Sequence, residues 1–274
     1  MIKLTLNDLV LKSRKKLLEV AYNCNGPSHL GGGLSMIEIF SVLYGSILQY
    51  NISDPNWAFR DRFILSKGHG VLPYFIALHY AGFITEEKLF TYKTNESDLI
   101  SHPIMNMQIG MESSNGSLGH GLSMAVGLCL GMKKKGNFQS KTYVILGDGE
   151  CNEGSVWEAM MSAAHFKLDN LIAIVDYNKL QNDGCNTEVM DIGDLESKWK
   201  SFGWEVSSVN GHDIDELEKT LKTKNTPNKP KVLIAHTVKG KGVSFMENNN
   251  EWHHNRLTES TYTQAMQELK SQEI

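Results

Sequence analysis

Tyr143-Val144-Ile145-Leu146-Gly147-Asp148-Gly149 decides the fold of this chain, read together with Leu171-Ile172-Ala173-Ile174-Val175-Asp176-Tyr177-Asn178. Each stretch opens on a short apolar run, Tyr143 to Leu146 and Leu171 to Val175, as a buried strand does. Between them, Val156 to Lys167 has the pattern of a helix. Strand, crossover helix and strand make a parallel βαβ unit, and such units gather their ligands at the carboxyl ends of the strands. Asp148 and Asn178, thirty positions apart, both stand at those ends. A carboxylate and a carboxamide oxygen suit Mg²⁺, which takes hard oxygen ligands in octahedral geometry and shares its shell with phosphates. Gly147 and Gly149 let the backbone come close. Gly-Asp-Gly alone also fits a plain sharp turn. The second strand end, with its asparagine, makes the segment a clamp for a divalent cation on a diphosphate.

Outward from this unit, helix and strand alternate. The spacing predicts a helix from Leu6 to Cys24, and another from Met36 to Tyr44 after Gly31-Gly32-Gly33. Phe63 to Ser66 reads as a strand running into Lys67-Gly68-His69-Gly70, with a helix from Leu72 to Tyr80 behind it. Thr85 opens a polar surface helix. Gly116 to Gly121 opens a long helix, Leu122 to Lys135, whose Gly127 and Gly131 predict tight packing against a neighbour. Asp213 to Glu216 has the form of a capping box for a helix through Leu221, and Lys231 to Ala235 is a further strand. Thr223 to Pro230 is a polar loop, and no internal repeat is visible. The alternation predicts an α/β fold, a doubly wound, mainly parallel sheet with helices on both faces, as one domain over residues 1–274.

Hydrophobic residues make up 41% and charged residues 21%, enough for a sizeable core. A net charge of −4 offers no basic field, so no nucleic-acid partner is expected. No apolar run is long enough to span a membrane, and Met1 to Val20 interleaves lysine with leucine as a helix does, unlike a secretion signal. Cys24, Cys129, Cys151 and Cys185 form no CxxC pair and read as free thiols of a cytoplasmic protein.

Ten histidines are present. His29, His69, His102 and His253 sit beside Gly, Pro or Ser in loops joining the alternating elements, where α/β proteins build sites. Imidazoles there suit proton transfer near neutral pH. His79 and His165 lie within helical patterns and read as packing residues, and His212 as a turn residue. His236 follows a strand, and its role stays open.

The segment from Gly147-Asp148-Gly149 to Asn178 resembles the thiamine diphosphate motif. Ser28-His29-Leu30-Gly31-Gly32, Leu65-Ser66-Lys67-Gly68-His69, Ser101-His102-Pro103 and Gly116-Ser117-Leu118-Gly119-His120-Gly121 narrow the resemblance to the transketolase family. Val238-Lys239-Gly240-Lys241-Gly242 and Trp252-His253 extend it over nearly the whole chain. The resemblance implies that Asp148, Asn178 and the Leu180 carbonyl hold Mg²⁺ or Ca²⁺. It implies that Gly149, His69, Lys239 and His253 lie at or around the diphosphate, with Gly116, Ser117 and Leu118 along the cofactor's rings. His29, His102 and His253, with His69 nearby, would bind sugar hydroxyls and move protons, and Glu153 would be a subunit-contact carboxylate.

The implied activity is transfer of a two-carbon ketol unit from a ketose, or its phosphate, to an aldose. The match is to the separately encoded N-terminal subunit of a split transketolase. The pyrimidine-binding part would then come from a separate C-terminal subunit in an α2β2 assembly. Three positions depart from the family's habit: Ser28-His29-Leu30 for Gly-His-Pro or Gly-His-Ile, His120 for glutamine, and His253-His254 for His-Gly. They leave the fold and the metal clamp intact and bear on the detailed sugar contacts that the resemblance implies. Rival readings are a 2-oxo acid dehydrogenase E1 α-like subunit, a deoxyxylulose phosphate synthase-like subunit, and a non-catalytic cofactor-binding subunit.

Overall fold

The computed structural model describes residues 4–24 and 26–272. α1 (Leu6–Asn23) is opened by Thr5 and Asp8, each side chain accepting the other's backbone N–H. α2 (Gly31–Leu34) and α3 (Ile37–Val42) follow, and α3 runs into a π-helical turn at Leu43–Ile47. Next come β1 (Arg62–Leu65), α4 (Val71–Ala81), α5 (Glu86–Leu89), α6 (His120–Lys134), β2 (Thr142–Gly147) and α7 (Gly154–His165). β3 (Leu171–Tyr177), α8 (Asn186–Val189), α9 (Leu195–Ser201), β4 (Glu205–Asn210), α10 (Ile214–Lys222), β5 (Lys231–His236) and α11 (Glu259–Lys270) complete the order. Among the described residues, no helix is long and apolar enough to cross a membrane.

The strands pair in the order β1-β2-β3-β5-β4, every neighbouring pair parallel. Alternate residues of one strand serve two cores. Tyr143, Ile145, Ile172, Ile174, Leu233 and Ala235 pack with α1, α3 and α4 on one face. Val144, Leu146, Ala173, Val175, Val232 and Ile234 pack with α6 and α7 on the other. Two covered faces leave the carboxyl edge of the sheet as the place where polar groups can converge. Gly147 stands opposite Asp176, and Asp176 opposite Ala235, so the loops after β2, β3 and β5 leave that edge side by side.

The structure differs from expectation in three places. β4, not anticipated from the sequence at Glu205–Asn210, has a polar pattern because it is an edge strand, with three intermediate positions before Ser208 and only Val209 buried. Glu216 does not close the capping box: Asp213 accepts the Glu216 N–H, but the Glu216 carboxylate takes the Asn210 N–H instead. Gly127 and Gly131 meet no such neighbour among the described residues. Apart from α6's own nearby backbone, no described atom lies within 4 Å of a Cβ built at either, so that face of α6 is open.

Candidate active site

A cavity of about 400 Å³ lies at the carboxyl edge of the sheet, lined among others by Asp148, Gly149, Asn178, Leu180, Lys239 and His253. Asp148 is 3% exposed and sits one residue beyond β2. Its carboxylate accepts the Gly149 N–H at 2.8 Å and the Lys179 N–H. Asn178 uses Oδ1 to accept the Leu180 N–H at 3.1 Å, and an amide oxygen keeps a second lone pair free. Its Nδ2 donates to Asp176 at 3.0 Å, which fixes which way the oxygen faces.

Asp176, the last residue but one of β3, is completely buried. It accepts from Lys67 Nζ at 2.6 Å, from Ser35 Oγ at 2.7 Å and from Thr237 Oγ1. Burial works to raise its carboxyl, but the Lys67 ammonium and these donors outweigh it and hold the group below its ordinary value. Asp148 makes no ion pair among the described residues. Burial first, then the Asp176 charge, push it up to about 6. Lys239 is disturbed in the opposite sense: burial, then the Lys67 charge, pull it down to about 8. The cavity thus presents a desolvated carboxylate with no ion pair among the described residues and, crowded by Lys67, a buried Lys239 ammonium with none either. That donor set fits a divalent cation and a diphosphate together.

The imidazoles gather beside the same cavity. His29 lies 5.3 Å from His69, 6.1 Å from His102, 5.5 Å from His253 and 4.4 Å from His254, ring centre to ring centre. His69 and His253 are 5.3 Å apart. Burial, then the neighbouring His254, His253 and His102, depress His29 to about 3. Burial and then Lys239 and Lys67 depress His253 to about 4. Burial and then Lys67 lower His69, and burial alone lowers His102. These four rings are neutral near pH 7, so each can accept or donate a hydrogen bond to a hydroxyl.

The other predicted residues fall into place around this edge. Leu118 and Glu153 line the cavity. A Cβ on Gly116 would lie 3.8 Å from the His102 ring, and Ser117 is exposed. The Gly116–Gly119 loop is held from below by Glu150, a residue the sequence did not single out. Its carboxylate is 3% exposed and accepts from the Gly119 N–H at 2.8 Å, the Gly147 N–H at 3.0 Å and Ser66 Oγ. Sequence reasoning also missed Lys67, Asp176, Gln181 and His254. Lys67 lies within Leu65-Ser66-Lys67-Gly68-His69 and Asp176 two places before Asn178; for Glu150 and Gln181 the sequence carried no signal.

The sequence matches the family of the transketolase, thiamine diphosphate-binding domain over residues 12–272. It is 41% identical over 260 residues to an apulose-4-phosphate transketolase subunit of Phocaeicola vulgatus, covering 94% of this chain and 91% of that one. It is 40% identical to a 6-deoxy-6-sulfo-D-fructose transketolase subunit of Clostridium sp., covering 90% of each chain. The fold superposes on the transketolase of Leishmania mexicana with a TM-score of 0.90 at 28% identity, covering 97% of this chain. This chain spans 41% of the length of that solved enzyme.

Proposed function

The chain belongs to the transketolase family, and from that we propose that it is the cofactor-gripping subunit of a two-subunit transketolase. The reaction is transfer of a two-carbon ketol unit from a ketose, or a ketose phosphate, to an aldose. The observation that carries this reading is the meeting of a cation-short carboxylate, buried lysines and a neutral imidazole cup at one sheet edge. Thiamine diphosphate, when bound, supplies the electron sink for breaking and making the bond beside the ketose carbonyl.

Asp148, Asn178 and the Leu180 carbonyl hold Mg²⁺ or Ca²⁺, and Asp176 keeps Asn178 in its working orientation. Lys239, with His69, Gly149 and His253, faces the diphosphate. Gly116, Ser117 and Leu118, on a loop held by Glu150, would flank the rings of the bound cofactor. His29, His69, His102 and His253 bind sugar hydroxyls and take or return their protons, which neutral imidazoles do well.

A second chain finishes the site. The open face of α6 has Met124 39% exposed and Gly127 and Gly131 without a neighbour, and α7, which packs beside α6, leaves Met161 54% exposed. An apolar surface with glycines that admit close approach suits an obligate partner. Glu153, exposed at the start of α7, would meet that chain, and two copies of each would form an α2β2 assembly. Four free cysteines suit the cytoplasm.

The test is to supply the chain and its companion with thiamine diphosphate, Mg²⁺ and either a ketose phosphate with an aldose or pyruvate. Ketol transfer is expected. Release of CO₂ from pyruvate with no ketol transfer would reverse the reading.

A further inference from the structure

Gln181 stands one residue beyond Leu180 in a turn that engages both of its own backbone groups. Its N–H donates to the Gly184 carbonyl at 2.8 Å, its carbonyl accepts from Lys239 Nζ at 2.9 Å, and Leu180 pairs with Cys185 across the turn. The side chain lies over Gly149: a Cβ there would meet the Gln181 Cγ at 2.6 Å and Cδ at 2.9 Å. Glycine at that position is what admits the glutamine. Gln181 lines the cavity, and its Nε2 is buried without a hydrogen-bond partner among the described residues. A buried amide nitrogen is a donor only, so what it lacks is an acceptor.

Its surroundings say which acceptor. Lys239 Nζ donates to the Gln181 carbonyl and to Asn250 Oδ1, both at 2.9 Å, which leaves one of its three N–H groups unspent. An unspent ammonium donor and an unspent amide donor on neighbouring groups fit an oxyanion with several acceptor oxygens.

Resting on the reading of this cavity as the cofactor site, we propose that Gln181 is a binding residue for the diphosphate of thiamine diphosphate. It donates Nε2 to a phosphate oxygen, while the Lys239 ammonium, anchored on the Gln181 carbonyl, neutralises charge on the same group. One turn would thus supply the Leu180 carbonyl to the metal and the Gln181 amide to the anion.

Calorimetric titration of the full chain with Mg²⁺ present tests this, using thiamine diphosphate, inorganic pyrophosphate and thiamine as separate ligands. Gln181→Leu is expected to weaken thiamine diphosphate and pyrophosphate about tenfold, the scale of one hydrogen bond to a charged group. Gln181→Glu, which removes the donor and adds a negative charge, weakens both further. Thiamine, lacking the phosphates, binds all three proteins alike, and the ligand-free thermal midpoint of Gln181→Leu is not lowered, since no protein partner is lost. Equal thiamine diphosphate affinity in the wild-type chain and Gln181→Leu overturns the role of Gln181 and leaves the function standing. An equal loss for thiamine also overturns it, since the damage would then not follow the phosphates. A wild-type chain that binds neither diphosphate overturns the cofactor reading and this inference with it.

Discussion

His29 and His253 are depressed to about 3 and about 4, mainly by burial and then by neighbouring charge, while their unfolded counterparts titrate at 6.5. A histidine held neutral in the fold stabilises it fully above 6.5, and that stabilisation is lost as pH falls through the folded value. The denaturation midpoint of the chain is therefore expected to fall progressively from pH 6.5 toward pH 4, and His29→Asn to flatten that fall. Urea titrations at several pH values check this; an unchanged slope in His29→Asn would contradict the assignment. Asp148 and Asn178 were legible in the sequence because strand ends announce themselves. Lys67 was not: its partner Asp176 lies 109 positions away, and the ion pair exists only once β1 and β3 share a sheet. The histidine loops were legible one by one, but not that His254 would join them 4.4 Å from His29.

At the scale of elements, α6 is the part on which the site depends most. It begins at Gly119 with no side-chain cap, and its first amides are satisfied from outside, Gly119 N–H by Glu150 and Gly121 N–H by Ser66 Oγ at 3.0 Å. Removing the carboxylate strands three buried donors, so Glu150→Ala is expected to cost about 3 kcal/mol in a denaturant titration. Glu150→Gln is expected to cost less, because one oxygen remains. Further along, Gly131 faces open space, and Gly131→Ala is expected to stabilise the isolated chain by about 0.5–1 kcal/mol through helix propensity. The same change should weaken association with the companion chain, measured by analytical ultracentrifugation. Stabilisation with unaltered association would remove α6 from the interface. β2 and β3 were readable because both their faces are buried and their apolar runs are unbroken. β4 escaped notice because an edge strand can be polar, and α6's glycines misled because small residues at helical spacing read as packing positions, whereas no described residue packs on them.

At the scale of the molecule, the groups given a role in the proposed reaction gather at one edge of a parallel sheet. Metal clamp, ammonium groups and imidazole cup are delivered by the loops after β1, β2, β3 and β5, with the Ser28–Leu30, His102 and Trp252–His254 segments closing over them. The architecture was legible from alternation alone. What alternation could not convey was how the two charge defects, the Asp148 carboxylate short of a cation and the Lys239 ammonium short of an anion, share one cavity. On the proposed reading this cavity is half of a transketolase site and does chemistry only when a second chain completes it. The most direct measurement is the rate of ketol transfer from a ketose phosphate to an aldose, with thiamine diphosphate and Mg²⁺, by the chain alone, by the chain with its companion, and by Asp148→Ala with the companion. Turnover is expected only in the second. Turnover by the chain alone at a rate the companion leaves unchanged, or full activity in Asp148→Ala, would contradict the claim.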